Sequence, residues 1–393
     1  VRRIVAGGLA LLAVAVVVAY AVLPGIVDRR MNTVVDADPP PASEVARALH
    51  RTLFVADLHA DQLLWARDPL VRSAHGHVDL PRLQEGNVAL QVFSAVTKTP
   101  RAMNYDANTG ETDNITLLAV AQRWPVTTWT SRRARALHQA RRLHDAAARS
   151  GGALVVVRGR DDLERFVAGR AEQPARVAAL LAIEGLHALD GTLESVDTLF
   201  AAGYRMMGLT HFFDNEVGAS AHGVSKGGLT SLGRDVVRRM EALGVLVDLA
   251  HAAPRLVDEV LAMATRPVVV SHTGVAATCP GPRNLTDDQL RAIAATGGVV
   301  GIGYWDGAVC EPTEATIVAA IRHAVAVVGA EHVGLGSDFD GATRTPWDTR
   351  ALARITGALL ETEMPEDEIR LVMGESVLRL LRATLPPSGS PPD

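Results

Sequence analysis

The chain has 393 residues, 48% of them apolar, and a formal net charge of −5. That length suits one barrel of about 250 residues with insertions and does not call for several domains. The small charge and the absence of any long Lys/Arg run give no sign of a phosphate-binding surface, so nucleic acid is not an expected partner.

In chain order, residues 4–27 contain no charged side chain and follow Arg2 and Arg3. Such a run exceeds the roughly 20 apolar residues that span a bilayer, and the flanking arginines place its start in the cytoplasm. The expectation is an N-terminal transmembrane helix over residues 1–27, a single-pass cell-membrane protein, and an extracytoplasmic remainder. A cleaved signal peptide and a secreted product form the alternative, because Ala19-Tyr20-Ala21 has the small-x-small form of a cleavage site. Residues 28–44, with Pro39-Pro40-Pro41, read as a linker, 45–384 as the folded domain and 385–393 as a disordered tail. The polar tail is not a C-terminal lipid-anchor signal.

From residue 53 onward short apolar runs alternate with segments of helical periodicity, which is the βαβα pattern of a parallel sheet. Eight runs read as barrel strands: Leu53 to Ala56, Val88 to Phe93, Ala178 to Ile183, Arg205 to Leu209, Val245 to Leu249, Pro267 to Val270, Val299 to Tyr304 and Val333 to Gly336. Ala153 to Val157 reads as a ninth, outside the barrel. Helices are predicted over Ser131 to Arg149, over Leu232 to Leu243 with Gly244 as its cap, and after the N-cap Thr286. The fold class is therefore α/β, a (β/α)8 TIM-type barrel. A doubly wound open sheet lacks its Gly-x-Gly-x-x-Gly turn after the first strand, and no short repeat suggests a solenoid.

Candidate ligands and acids fall at the C-terminal ends of these runs, the face on which barrel enzymes build their sites. They are His59, Asp61, Glu184, His211, His251, His272 and Asp338. His59 and Asp61 are two apart, so both point to one side of an extended segment. Glu184 ends an apolar strand, where a carboxylate is costly to bury unless a cation offsets it; an ion pair with a basic residue is the plainer reading. His251 and His272 end neighbouring strands, and two imidazoles with a carboxylate suit a divalent transition metal, zinc above all. Five such groups on four strand ends favour two divalent ions per chain, bridged by Glu184. Asp338 is then free to orient an attacking hydroxide and pass its proton on, whereas Asp340 reads as a turn or loop cap. His50, His138, His144, His323 and His332 read as surface or satisfied core histidines. Cys279 and Cys310, the only cysteines, flank the sixth and seventh strands; spacing alone leaves a disulfide and two buried thiols equally open.

The segments Asp57-Leu58-His59-Ala60-Asp61, Ile183-Glu184-Gly185, Leu209-Thr210-His211, Val247-Asp248-Leu249-Ala250-His251, Ser271-His272, Arg283-Asn284-Leu285 and Gly336-Ser337-Asp338-Phe339-Asp340-Gly341 resemble, in order and spacing, the renal-type membrane dipeptidases from about residue 50 to 383. The resemblance implies a zinc-dependent dipeptidase of metal-dependent hydrolase architecture. It implies one zinc on His59, Asp61 and Glu184 and a second on Glu184, His251 and His272. It also implies His211 near the developing oxyanion, Arg283 on the substrate's free carboxylate, and a disulfide between Cys279 and Cys310. Read alone, Arg283 is an ordinary surface loop arginine, although its planar fork suits a carboxylate. Leu58, Ala60 and Leu186 depart from the family's usual Gly, Asn and Gly, and Tyr304-Trp305-Asp306-Gly307 is expected to wall the pocket with its own preference.

The function expected on these grounds is hydrolysis of dipeptides by a hydroxide bridging the two ions. The rivals are another amide, lactone or phosphoester hydrolase on the same fold and a catalytically silent metal-binding surface protein. Dipeptides and the membrane are the expected partners, and the oligomeric state is left open, a homodimer among the options.

Overall fold

A computed structural model of the chain describes residues 22–387. Its strands are β1 (Thr33–Val34), β2 (Val55–Ala60), β3 (Val88–Val96), β4 (Leu154–Val156), β5 (Val177–Glu184), β6 (Tyr204–Gly208), β7 (Leu246–Asp248), β8 (Val269–Thr273), β9 (Val299–Ile302), β10 (Val333–Leu335) and β11 (Arg344–Thr345). Eight of them run parallel in the order β3-β2-β10-β9-β8-β7-β6-β5, and pairing of β3 with β5 closes the ring. The expected ninth run, β4, pairs only with β5 on the outside.

Alternation along the strands builds two layers. Leu90 and Val92, Ala178, Leu180 and Ala182, Met206, Leu246, Val269 and Val299 share one cluster with Leu378 and Leu381 of the helix Ser376–Thr384. This set fills the barrel, and the helix closes its lower end. The alternate set, including Leu181, Ile183, Val247 and Val270, packs against the surrounding helices. Each such buried side chain stabilises the fold by roughly 1.5–3 kcal/mol. Glu184 continues the inward series at the upper end of β5, so the pattern that fills the barrel also aims this carboxylate at the mouth. Close packing at that level requires glycine: a Cβ on Gly301 or Gly336 would lie 2.2 or 2.1 Å from the carbonyl oxygen of Ser271.

Helix ends follow their capping residues. Ser131 accepts from Ala134 N at the start of Arg132–Arg149, and Gly244, at φ 69°, ends Ser231–Leu243. Thr286 and Gln289 form a reciprocal capping box on Asp287–Ala295. The first strand begins two residues later than its apolar run suggested, which brings His59 inside β2.

Two boundaries need correction. Residues 28–44 are not a free linker: Asp28 is buried and bonds Arg67 at 2.8 Å, and β1 pairs in parallel with β11. The tail also begins later than 385, because Leu385 is buried and Pro386 O accepts from Arg160 N. Local polarity suggested open chain in both places, but partners far along the sequence hold them. The expected membrane anchor, residues 4–27, lies outside the described residues apart from 22–27, which begin a helical stretch over 22–31. Among the described residues no helix is long and apolar enough to cross a membrane.

Candidate metal centre

The upper rim of the barrel brings together every strand-end group singled out above. Glu184 is the hub. Its Oε1 lies 2.7 Å from His251 Nε2, 3.2 Å from His272 Nε2 and 3.9 Å from His59 Nε2, while Oε2 lies 3.2 Å from His211 Nε2. His251 Nε2 and His272 Nε2 are themselves only 3.1 Å apart. On the other side His59 Nε2 is 3.4 Å from Asp61 Oδ1 and 4.0 Å from Asp338 Oδ1. No lysine or arginine forms an ion pair with Glu184 among the described residues, which corrects the plainer reading of it; its neighbours are imidazoles.

This convergence makes groups of three donor atoms around His59, Glu184 and His272, around Glu184, His211 and His251, and around His59, Asp61 and Asp338. Glu184 belongs to two of them, as a bridging carboxylate would. Glu184 Oε1, His251 Nε2 and His272 Nε2 also lie within 3.2 Å of one another, and His211 stands among the donors as well as beside the pocket.

Burial fixes the electrostatics. Desolvation holds Glu184 and Asp61 well above the ordinary carboxylate range, with repulsion from Asp61 adding to it at Glu184 and from Asp340 at Asp61, and burial, opposed by His59, pushes Asp338 up to about 8. Burial likewise holds His211, His251 and His272 well below the usual imidazole range, with Arg283 adding to the effect. Neutral imidazoles offer lone pairs, and carboxyls that resist ionising give up their protons when a cation arrives. Asp61 Oδ1 and His59 Nε2 are buried and make no aligned hydrogen bond. Nitrogen and carboxylate oxygen donors with orphaned atoms at their centre fit divalent transition ions.

A supporting layer aims these ligands. Ser271 Oγ donates to Asp248 Oδ2 at 2.6 Å and lies 2.9 Å from His272 Nδ1. Asp248 Oδ1 also accepts from Ala250 N and Ser271 N, and Asp57 Oδ1 accepts from His59 N and Ser337 N. Such partners orient metal ligands and raise their basicity. His251 and Asp338 both adopt positive φ, 62° and 57°, a conformation that costs a non-glycine residue about 1–3 kcal/mol. Ala221 N donates to the carbonyl of His251, and Thr343 Oγ1 to that of Asp338, which holds both in place.

Arg283 is not a surface residue. It lies on the loop after β8, buried, with Nη2 donating to His272 O at 2.6 Å and its guanidinium 5.3 Å from the Trp305 ring. Cys279 and Cys310 are joined, which ties that loop to the segment bearing Trp305. Asp340 is more than a turn cap: it pairs with Arg67 at 2.8 Å and accepts from His77 N and Val78 N. Burial opposes its ionisation, but Arg67 and His77 hold its pKa below the usual range. The five background histidines stand apart from the cluster; buried His50, for instance, bonds Thr356 Oγ1 and Gly86 O.

The residues that strand-end reasoning passed over are Asp57, Asp248, Ser271, Tyr105 and His222. Asp57 and Asp248 carried a signal, an acid inside an apolar run. Tyr105 and His222 did not, since His222 reaches the site from a long loop, with Nδ1 on Tyr105 O at 2.9 Å and its ring 5.3 Å from that of His251.

A stability effect follows. Raised carboxyl pKa values mean that the folded, metal-free chain binds more protons than the unfolded one, so stability falls as pH climbs from the ordinary carboxylate range toward about 8 for Asp338. The depressed imidazoles act in the opposite sense, chiefly at and below the ordinary imidazole range, where the unfolded chain takes up protons that they refuse. Above that range their effect fades and the carboxyls dominate. Metal-free protein should therefore melt at a lower temperature at about pH 8.5 than at about pH 7, and a divalent ion should remove the slope. A Tm that rises over this range would contradict the assignment.

Fold and site together define a (β/α)8 barrel with a buried imidazole–carboxylate cluster at its C-terminal mouth. The model of the membrane dipeptidase family, peptidase family M19, matches residues 43–386, and the chain belongs to that family. It is 32% identical over 222 residues to an uncharacterized dipeptidase of Schizosaccharomyces pombe; the match covers 53% of each, so the chain spans about half the length of that relative. Among solved structures it is similar to dipeptidase AC, a metallopeptidase of family M19, with TM-score 0.69, 25% identity, and coverage of 85% of this chain and 99% of that one. A metallopeptidase from Rhodobacter sphaeroides, liganded with a phosphinate mimic of the dipeptide L-Ala-D-Ala, shares the fold at TM-score 0.70 and 24% identity, with the same coverage.

Proposed function

We propose that the chain hydrolyses the peptide bond of dipeptides with two divalent ions, zinc above all. Membership of the family and the likeness to dipeptidase AC support the reading. The observation that carries it is Arg283, a buried guanidinium in the wall of the same cavity as Glu184, His211, His251 and Asp338. His59, Asp61 and Glu184 would hold one ion, and Glu184, His251 and His272 the other. When bound, the ions would polarise the scissile carbonyl and acidify the attacking water.

The chain's own groups do the rest. Arg283 pairs with the free carboxylate and so places the scissile bond one residue away, over the cluster. His211 donates to the carbonyl oxygen as negative charge develops there. Asp338 accepts a proton from the nucleophile and returns it to the departing amine. The Cys279–Cys310 disulfide suits an oxidising compartment and supports our reading of the apolar run before residue 22 as an anchor with the barrel outside the cell. Resistance of the barrel to protease on intact cells would contradict that placement.

The test compares free dipeptides with their amides. A charge-assisted pair contributes roughly 1.5–3 kcal/mol, about 10- to 150-fold in kcat/KM. Arg283→Ala should lose that much on free dipeptides and much less on amides, and Arg283→Lys should recover part of it, keeping the charge without the fork. Equal losses on both substrates would reduce Arg283 to a loop support and remove the argument for a dipeptide.

A further inference from the structure

The cavity above the cluster has a volume of about 780 Å³, in the upper part of the range of about 300–1,000 Å³ that encloses drug-sized ligands. A dipeptide of small residues leaves much of it unfilled. The wall away from Arg283 is mainly apolar, built by Leu23, Val27 and Met31 of the helical stretch 22–31 and by Ile115, Leu117 and Leu118 of the helix Asn114–Ala121, with Arg30 and Asn114 as its polar members. Leu23, Met31 and Leu117 are 51%, 41% and 56% exposed. That exposure of large apolar side chains beside a polar centre is what a bound hydrocarbon would relieve.

Placement says which part of a substrate lies there. Asn114–Ala121 follows β3, Arg283 follows β8, and these strands stand opposite each other in the closed ring. A substrate whose carboxylate rests on Arg283 crosses the cluster and directs its amino-terminal portion toward the apolar wall. Residues 22–31 precede the family match, which begins at residue 43. Asp28 fastens them beside the mouth through Arg67.

We infer that residues 22–31 and 114–121 form an apolar subsite for a long hydrocarbon chain on the amino-terminal side of the scissile amide, which makes the preferred substrates amphipathic. The orientation rests on the role of Arg283 given above; the subsite itself rests on the cavity.

The test uses the full, metal-loaded chain and two series of glycine conjugates. One runs from alanylglycine to 2-aminodecanoylglycine, the other from N-acetylglycine to N-decanoylglycine, so that side-chain and acyl hydrocarbons are distinguished. Calorimetric affinity and kcat/KM are both read. Each methylene that enters the subsite should tighten binding by about two- to fourfold in at least one series. Leu23→Asp with Leu117→Asp should flatten that gradient, losing far more on the longest member than on the shortest. Val126→Asp, at a 71% exposed position outside the cavity, should keep it. Affinity that does not change with chain length in either series overturns the inference and gives the apolar wall to a second copy or a lipid surface. A steep gradient without hydrolysis of any dipeptide supports the subsite and overturns the peptidase reading instead.

Discussion

Asp338→Asn is expected to lower kcat on dipeptides by about 100- to 10,000-fold, the usual contribution of a general acid–base group, while both ions stay bound. The carboxyl stands at the rim, 4.0 Å from His59 Nε2 and outside the hydrogen-bonded knot around Glu184. Its backbone is held at positive φ by the Thr343 hydroxyl and not by its own side chain. Asparagine tolerates that conformation nearly as well as aspartate, so the substitution removes a proton-transfer group without disturbing the loop. An amide can neither take a proton from the nucleophile nor give one to the amine. Near-normal kcat in a variant with its full complement of metal would show that Asp338 shapes the rim and transfers no proton.

The part of this site that sequence made legible is the part that strand geometry dictates. His59, Glu184 and His272 close apolar strands, and His211, His251 and Asp338 lie three residues past theirs, so period and position sufficed to place them. Arg283 read as a surface residue because nothing local buries it: Trp305, some twenty residues on, and the loop joined through Cys279 and Cys310 enclose it. Asp340 misled for the same reason, since its partners Arg67 and His77 come from the far end of the folded domain. Residues 22–31 looked like the end of an anchor or the start of a linker. Their seat beside the mouth depends on the Asp28–Arg67 pair, which no periodicity announces.

The second large effect concerns Glu184. One oxygen is shared by His251 and His272 and the other faces His211, so a single carboxylate serves both halves of the cluster. Glu184→Gln keeps the shape but removes the negative charge that would offset the proposed pair of cations, and its amide nitrogen would point a donor at one set of ligands. Both ions should be weakened together and turnover should fall to background, whereas His272→Ala should deplete mainly one ion.

Metal titration of the purified chain, read by bound metal and by dipeptide turnover in the same samples, tests the bridged pair most directly. Metal-free protein should take up two equivalents, with turnover reaching its plateau only at the second, and Glu184→Gln under the same conditions should hold neither firmly. Saturation at one equivalent with full turnover, or Glu184→Gln retaining one tight ion and its activity, would contradict a bridged two-metal centre.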